Sequence, residues 1–303
     1  MLHTSFLSIP FHNPLVLASG ILGVSAASMN HVVDNGAGGV TVKSLSKEPR
    51  TGHANPTMIA SDTHMLNAVG LSNPGIDHGL GELRMFKQRS TAPLIGSIFA
   101  STPEEFADVA KKISTAPIDI LELDISCPNV STEFGEPFAY SPHAILTIIK
   151  KVKAVTDKPI SIKLSPNAWN IAALARVAEQ AGADAITAVN TVSGMQINVQ
   201  ARMPVLHNKY GGVSGPALFP IALKCVYDIY AAVNIPIIAT GGVTTGEDAL
   251  AMIMAGATLV GVGSAVYYRG TGVFQKIVVE MQQIMQDEGI ASLDEIRGVA
   301  HAS

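Results

Sequence analysis

The chain has 303 residues, 48% of them hydrophobic and 15% charged, with a formal net charge of -4 at pH 7. This is ample material for a well-buried core, and the absence of any basic footprint excludes a nucleic-acid face. No apolar run is long enough to span a bilayer and no charged segment precedes an apolar stretch at the N-terminus, so a cytoplasmic protein without signal peptide or membrane helix is expected.

In chain order, Thr4 to Ile9 and Phe11 to Asn13, around Pro10, read as a small hairpin. Short apolar runs bounded by glycine then recur: Leu15 to Gly20, Gly39 to Ser44, Leu94 to Phe99, Ile120 to Ser126, Pro159 to Ser165, Ala185 to Asn190, Ile235 to Gly241 and Leu259 to Ala265. Runs of this kind are fully buried parallel strands. Helical spacing lies between them, over Pro103 to Ile113, Ser141 to Val155, Asn170 to Gln180, Pro216 to Ala232 and Glu247 to Met254. Ser101-Thr102 before Pro103, and Ser141 before Pro142, are start signals. A further helix is expected near Val273 to Met285, and a short piece near Ser292 to Ile296. The stretch from Met195 to Gly215 is too long for a simple connection and is expected to form a lid or an extra hairpin. About eight strands, most followed by a helix, make an α/β (β/α)8 TIM barrel of one domain spanning 1–303. The competing open doubly wound sheet lacks its Gly-x-Gly-x-x-Gly after the first strand.

Such a barrel carries its chemistry at the C-terminal ends of its strands. Those ends hold Ser19-Gly20, Lys43-Ser44, Ser97, Asp124 with Cys127 and Asn129, Lys163, Asn190-Thr191, Gly241-Gly242 and Gly263-Ser264. A lysine inside an otherwise apolar strand is seldom buried without an anionic or electron-rich partner, and Lys43 and Lys163 are two of them. The paired glycines of the last two strands leave backbone N–H groups open to a phosphate, although two tight turns would read the same. Asn67, Asn129 and Asn190 come from three separate loops and would suit a planar, imide-bearing ring. Cys127, held at a strand end by Pro128, reads either as a small buried hydrophobe or as a proton-transfer group; Cys225, in an apolar helical run, reads as core. The nine histidines show no metal-binding spacing, so no metal is expected, and His64 beside the Asn67 loop is the one of interest.

Taken as a set, Ser126-Cys-Pro-Asn, Lys43-Ser44, Asn67-Ala-Val-Gly-Leu, Ser161-Ile-Lys-Leu-Ser-Pro, Asn190-Thr191, Gly211-Gly-Val-Ser-Gly-Pro, Gly241-Gly242 and Gly263-Ser264 resemble the dihydroorotate dehydrogenases. The resemblance runs from Asn13 to about Tyr268 in the right order. It implies a barrel that binds FMN and oxidises dihydroorotate to orotate in pyrimidine biosynthesis. A cysteine base and the missing N-terminal membrane extension are similar to class 1, and the Pro204-Val-Leu region is closest to class 1B. That branch pairs its catalytic subunit with an FAD and iron-sulfur electron-transfer subunit, so a homodimer or heterotetramer is implied.

Carried over by position, Cys127 would take the C5 proton of the substrate. Lys163 would stabilise charge at the electron-accepting end of the flavin. Ser19, Gly20, Lys43, Ser44, Asp124, Lys163, Val189 and Gly215 would line the flavin, with Gly241, Gly242, Gly263 and Ser264 on its phosphate. Lys43, Asn67, Val69, Gly70, Leu71, Asp124, Asn129, Asn190 and Thr191 would bind dihydroorotate. The family usually has asparagine where this chain has Asp124, and a carboxylate there calls for Lys43 or Lys163 as compensation. What the residues alone leave open is an FMN enzyme for another pyrimidine or unsaturated ring, or a flavin-free phosphate-binding isomerase or lyase.

Overall fold

The computed structural model describes residues 1–126 and 138–302, so Cys127 and Asn129 lie outside the described residues. A hairpin of β1 (Thr4–Phe6) and β2 (Ile9–Phe11) comes first. Then follow β3 (Leu15–Leu17), α1 (Ala26–Asp34), β4 (Gly39–Thr41), β5 (Met58–Ala60), β6 (Met65–Asn67), α2 (Ile76–Arg89), β7 (Leu94–Ile98), α3 (Pro103–Ile113) and β8 (Ile120–Asp124). Next come α4 (Pro142–Lys153), β9 (Ile160–Leu164), α5 (Ile171–Gln180), β10 (Ala185–Ala188), β11 (Val192–Gly194), β12 (Ile197–Asn198), β13 (Met203–Pro204) and β14 (Gly211–Ser214). The chain ends with α6 (Phe219–Tyr230), β15 (Ile237–Thr240), α7 (Gly246–Met254), β16 (Leu259–Val262), α8 (Ala265–Arg269), α9 (Val273–Asp287) and α10 (Leu293–Ile296).

Eight of these strands close a parallel barrel in the order β10-β15-β16-β3-β4-β7-β8-β9, with helices between successive strands: the (β/α)8 TIM barrel expected from the alternation. The helices start where the sequence allows. Thr102 accepts a hydrogen bond from the Glu105 N–H with Pro103 at the first helical position, and Ser141 caps α4 in the same way. No helix among the described residues is long and apolar enough to cross a membrane.

Side chains alternate across each barrel strand, and the inward set falls into layers. Val16, Ile95, Ile120, Ala185, Ile238 and Leu259 form an apolar floor, closed from below by Phe6 and Phe11 of the hairpin. One step up, the inward positions turn polar: Thr41, Ser97, Glu122, Ser161 and Thr187, all nearly inaccessible. Lys43, Asp124 and Lys163 come next. The outward set, Leu15, Leu17, Val40, Leu121, Leu123, Ile160, Ile162 and their like, packs under the helices in the main core.

The hairpin turns at Leu7 and Ser8, both at positive φ (53° and 64°), and not around Pro10. Pro10 sits inside β2 opposite Ser5 at the edge of a two-stranded ribbon, where the missing N–H costs least. The long segment after β10 is an extra hairpin in part, β12 with β13, and its last strand β14 joins β11, β6 and β5 in a four-stranded antiparallel sheet. Gly211 and Gly212 are what let β14 approach. A Cβ on Gly211 would stand 2.2 Å from the Asn67 carbonyl oxygen, and one on Gly212 would stand 1.9 Å from the Thr191 hydroxyl.

Candidate active site

The C-terminal ends of the barrel strands and this antiparallel sheet enclose a cavity of about 400 Å³. Its size is that of a pocket for a cofactor-sized ligand. Ser19 and Gly20 follow β3, Lys43 and Ser44 follow β4, Asp124 ends β8, and Lys163 lies in β9; Val189, Asn190 and Thr191 follow β10. Asn67 ends β6 and Val69, Gly70 and Leu71 follow it, while Gly241, Gly242, Gly263 and Ser264 enter from the turns after β15 and β16. All of these line the cavity. Gly215 does not: it is one residue beyond the lining Ser214, where its φ of 87° brings the backbone against His64 and Tyr268. His64 turns its Nδ1 to the hydroxyls of Ser61 and Thr63, and the lining histidine is His53. Ser97 is fully buried one layer below the cavity instead of on its wall.

Two cationic side chains reach the cavity. The Lys163 ammonium donates to the Ser19 hydroxyl at 2.7 Å, across the barrel from its own strand. In the ladder Lys163 stands opposite Asp124 on one side and Thr187 on the other. Lys43 is fixed at its backbone, where its N–H donates to the Gly23 carbonyl at 2.9 Å. The Asp124 carboxylate accepts from the Ser126 N–H and hydroxyl and from the Asn190 amide, and Asn190 in turn accepts from the Thr191 N–H at 2.8 Å. This ties the end of β8 to the end of β10. Beneath them Glu122 is 2% exposed, and burial pushes its carboxyl well above the usual range despite the opposing pull of Lys163.

The opposite end of the cavity is built of backbone. Gly241 and Gly242 take φ of 135° and 75°, and a Cβ on Gly242 would stand 2.4 Å from the Phe219 nitrogen. With no side chain in the way, main-chain N–H groups can approach an anion there. The turn is braced from behind. Arg269, at the end of α8, donates to the Thr244 carbonyl at 2.6 Å and to both carboxylate oxygens of Glu280, which also accepts from the Gly246 N–H at 2.7 Å. The hydrogen-bonded Arg269 guanidinium holds the Glu280 carboxyl below the usual range. Stability from a lowered carboxyl is present above the unfolded-state value and is lost as pH falls through the folded one. Glu280→Gln should therefore melt below the wild type at pH 7, with the gap closing as thermal melts are taken down from pH 5 to pH 3.

Among the described residues no group of three or more His, Cys, Asp or Glu side chains could hold a metal ion. Among the lining residues that the strand ends did not single out are His53, Met58, Met65, Tyr140, Asn167, Asn208 and Tyr210. Asn167 is the most telling. Its side chain donates to the Thr191 carbonyl at 3.0 Å and accepts from the Ser193 N–H at 2.8 Å, so it fixes the loop after β10; a polar residue next to Pro166 at a strand end was its only signal.

A family model described as dihydroorotate dehydrogenase matches residues 1–285. The chain belongs to the dihydroorotate dehydrogenase family. Among its relatives are three proteins named dihydroorotate dehydrogenase B (NAD(+)), catalytic subunit. That of Pyrococcus abyssi is 42% identical over 300 residues, covering 99% of both chains. That of Methanosarcina mazei is 44% identical over 290 residues, covering 95% of this chain and 92% of its own. That of Thermoplasma acidophilum is 43% identical over 299 residues, covering 99% and 98%.

Proposed function

We propose that this chain is the catalytic subunit of an FMN-dependent dihydroorotate dehydrogenase, oxidising dihydroorotate to orotate with Cys127 as general base. The observation that carries the reading is one cavity, in a chain of this family, that joins two lysines and a set of side-chain amides at one end to an open glycine backbone at the other. The donor set fits FMN: main-chain N–H groups of Gly241, Gly242, Gly263 and Ser264 for the phosphate, and Ser19, Ser44, Asp124, Lys163 and Val189 around the ring. FMN supplies a two-electron acceptor when it is bound.

The remaining work falls to the chain. Lys43 and the loop from Asn67 to Leu71 hold the substrate carboxylate, and Asn190 and Thr191, with Asn129, orient its ring. Lys163, kept in place by Ser19, sets a positive charge where negative charge develops. Cys127 takes the C5 proton. The relatives' name, catalytic subunit, supports a partner that carries electrons onward, with FAD and iron-sulfur centres in the class 1B arrangement.

The test is anaerobic. The purified protein should be yellow, and dihydroorotate should bleach its visible absorbance without any acceptor present. Cys127→Ser should keep the flavin while slowing that bleaching by about 100-fold or more at neutral pH, because serine is a far weaker base. Bleaching at the wild-type rate in the variant rejects the role of Cys127, and a colourless protein that takes up no added FMN rejects the reading as a whole.

A further inference from the structure

The polar layer under the cavity contains an ionisable group for which the proposed reaction has no use. Glu122 faces the barrel interior between the apolar floor and the cavity, and neighbouring strands place Ser97 and Ser161 directly beside it. The Ser97 hydroxyl lies 2.9 Å from Glu122 Oε1, and the Ser44 hydroxyl lies 2.9 Å from that of Ser97. Ser44 lines the cavity. On the far side the Ser161 hydroxyl lies 2.8 Å from that of Thr187. The charged groups that act on Glu122 are Lys163 from β9 and Asp124 on its own strand; β7 and β10 present hydroxyls.

An unbroken row of oxygen atoms therefore runs from a buried carboxyl to the cavity wall. Each hydroxyl has one proton to donate, so the row can point only one way at a time. An ionised Glu122 accepts from Ser97, Ser97 accepts from Ser44, and Ser44 turns lone pairs to the cavity. A neutral Glu122 with its proton on Oε1 reverses every bond: it donates to Ser97, Ser97 donates to Ser44, and Ser44 donates to the ligand. The isoalloxazine edge of oxidised FMN is mostly acceptor, two carbonyls and two bare ring nitrogens against one N–H, so it pairs with the second arrangement.

We propose that Glu122 is a positioning residue which, through Ser97, turns the Ser44 hydroxyl into a donor toward the ring bound in the cavity. The inference rests on the FMN reading above. Burial, which favours the uncharged acid, acts in the same direction.

Two measurements test it. The first follows the wild-type chain labelled with ¹³C at the glutamate side-chain carboxyl, both stripped of FMN and loaded with it. One glutamate signal should stay at the neutral-acid position at pH 7 and be missing in Glu122→Gln; a Glu122 signal at the carboxylate position overturns the proposal. The second is FMN affinity by fluorescence quenching. Glu122→Gln, which keeps a neutral group able to donate to Ser97, should bind within about threefold of wild type. Ser97→Ala and Ser44→Ala should each bind about tenfold more weakly, the size of one lost hydrogen bond. Ser44→Ala/Ser97→Ala should bind no more weakly than Ser44→Ala, because Ser97 acts only through Ser44. A purely structural Ser97 would make the two losses multiply, and that result, or Glu122→Gln binding as weakly as Ser97→Ala, overturns the proposal. A chain that takes up no FMN overturns the functional reading, and the carboxyl signal then decides the state of Glu122 alone.

Discussion

Replacing Gly242 by alanine should leave a protein that folds less stably and comes off a desalting column without flavin. The residue holds φ at 75°, and a Cβ there meets the Phe219 nitrogen at 2.4 Å and its Cα at 2.6 Å. These are main-chain atoms of α6, whose Ala222, Val226 and Ile229 are fully buried, so the helix cannot yield as a surface side chain would. Positive φ alone costs an alanine on the order of 1 kcal/mol, and overpacking against fixed neighbours adds about 1–3 kcal/mol. The turn must move to relieve this, and its N–H groups move with it. FMN affinity should fall by well over about tenfold, a loss of more than one well-placed hydrogen bond. Equilibrium dialysis against FMN, with a denaturant melt of the stripped protein, separates the two effects. Wild-type affinity in this variant would show that the turn does not carry the phosphate.

The second large effect belongs to Lys163. Lys163→Ala should retain FMN but slow its reduction by dihydroorotate about 100- to 1,000-fold, the usual loss when one preorganised group facing developing charge is removed. Lys163 is 6% exposed, held by Ser19 and flanked by Asp124 in the ladder, with Glu122 one layer below. Its removal leaves Asp124, itself buried, in a low-dielectric interior with no cation from the neighbouring strand. Single-turnover reduction in a stopped-flow cell is the measurement, because it isolates the step from any later transfer to a partner. Reduction within about threefold of wild type would mean that charge at the ring is met by other groups, such as Lys43.

The barrel was legible because its signal is repetitive. Each of Ile120 to Ser126, Pro159 to Ser165 and Leu259 to Ala265 contains the strand observed, and the ends carried the polar residues that line the cavity. What escaped was structure with weak local chemistry. The helix α2 is preceded by Gly75, which offers no side-chain cap, and has two glycines in its first half, one of which, Gly79, would set an added Cβ 2.4 Å from Leu45; tertiary packing, not propensity, makes it a helix. The four-stranded antiparallel sheet over the barrel is made of strands of three or four residues, too short for a period to show. Glu122 is a different kind of omission. It sits in Leu-Glu-Leu-Asp, and the reasoning applied to Lys43 and Lys163, that a charge inside a buried strand needs a partner, applied to it equally.

The aromatic stopper formed by Phe6 and Phe11 under the barrel has an implication for traffic. A vessel corked at its base fills and drains over one rim. Among the described residues nothing opens through that base, so on the reading proposed above dihydroorotate enters and orotate leaves from the side of the strand C-terminal ends.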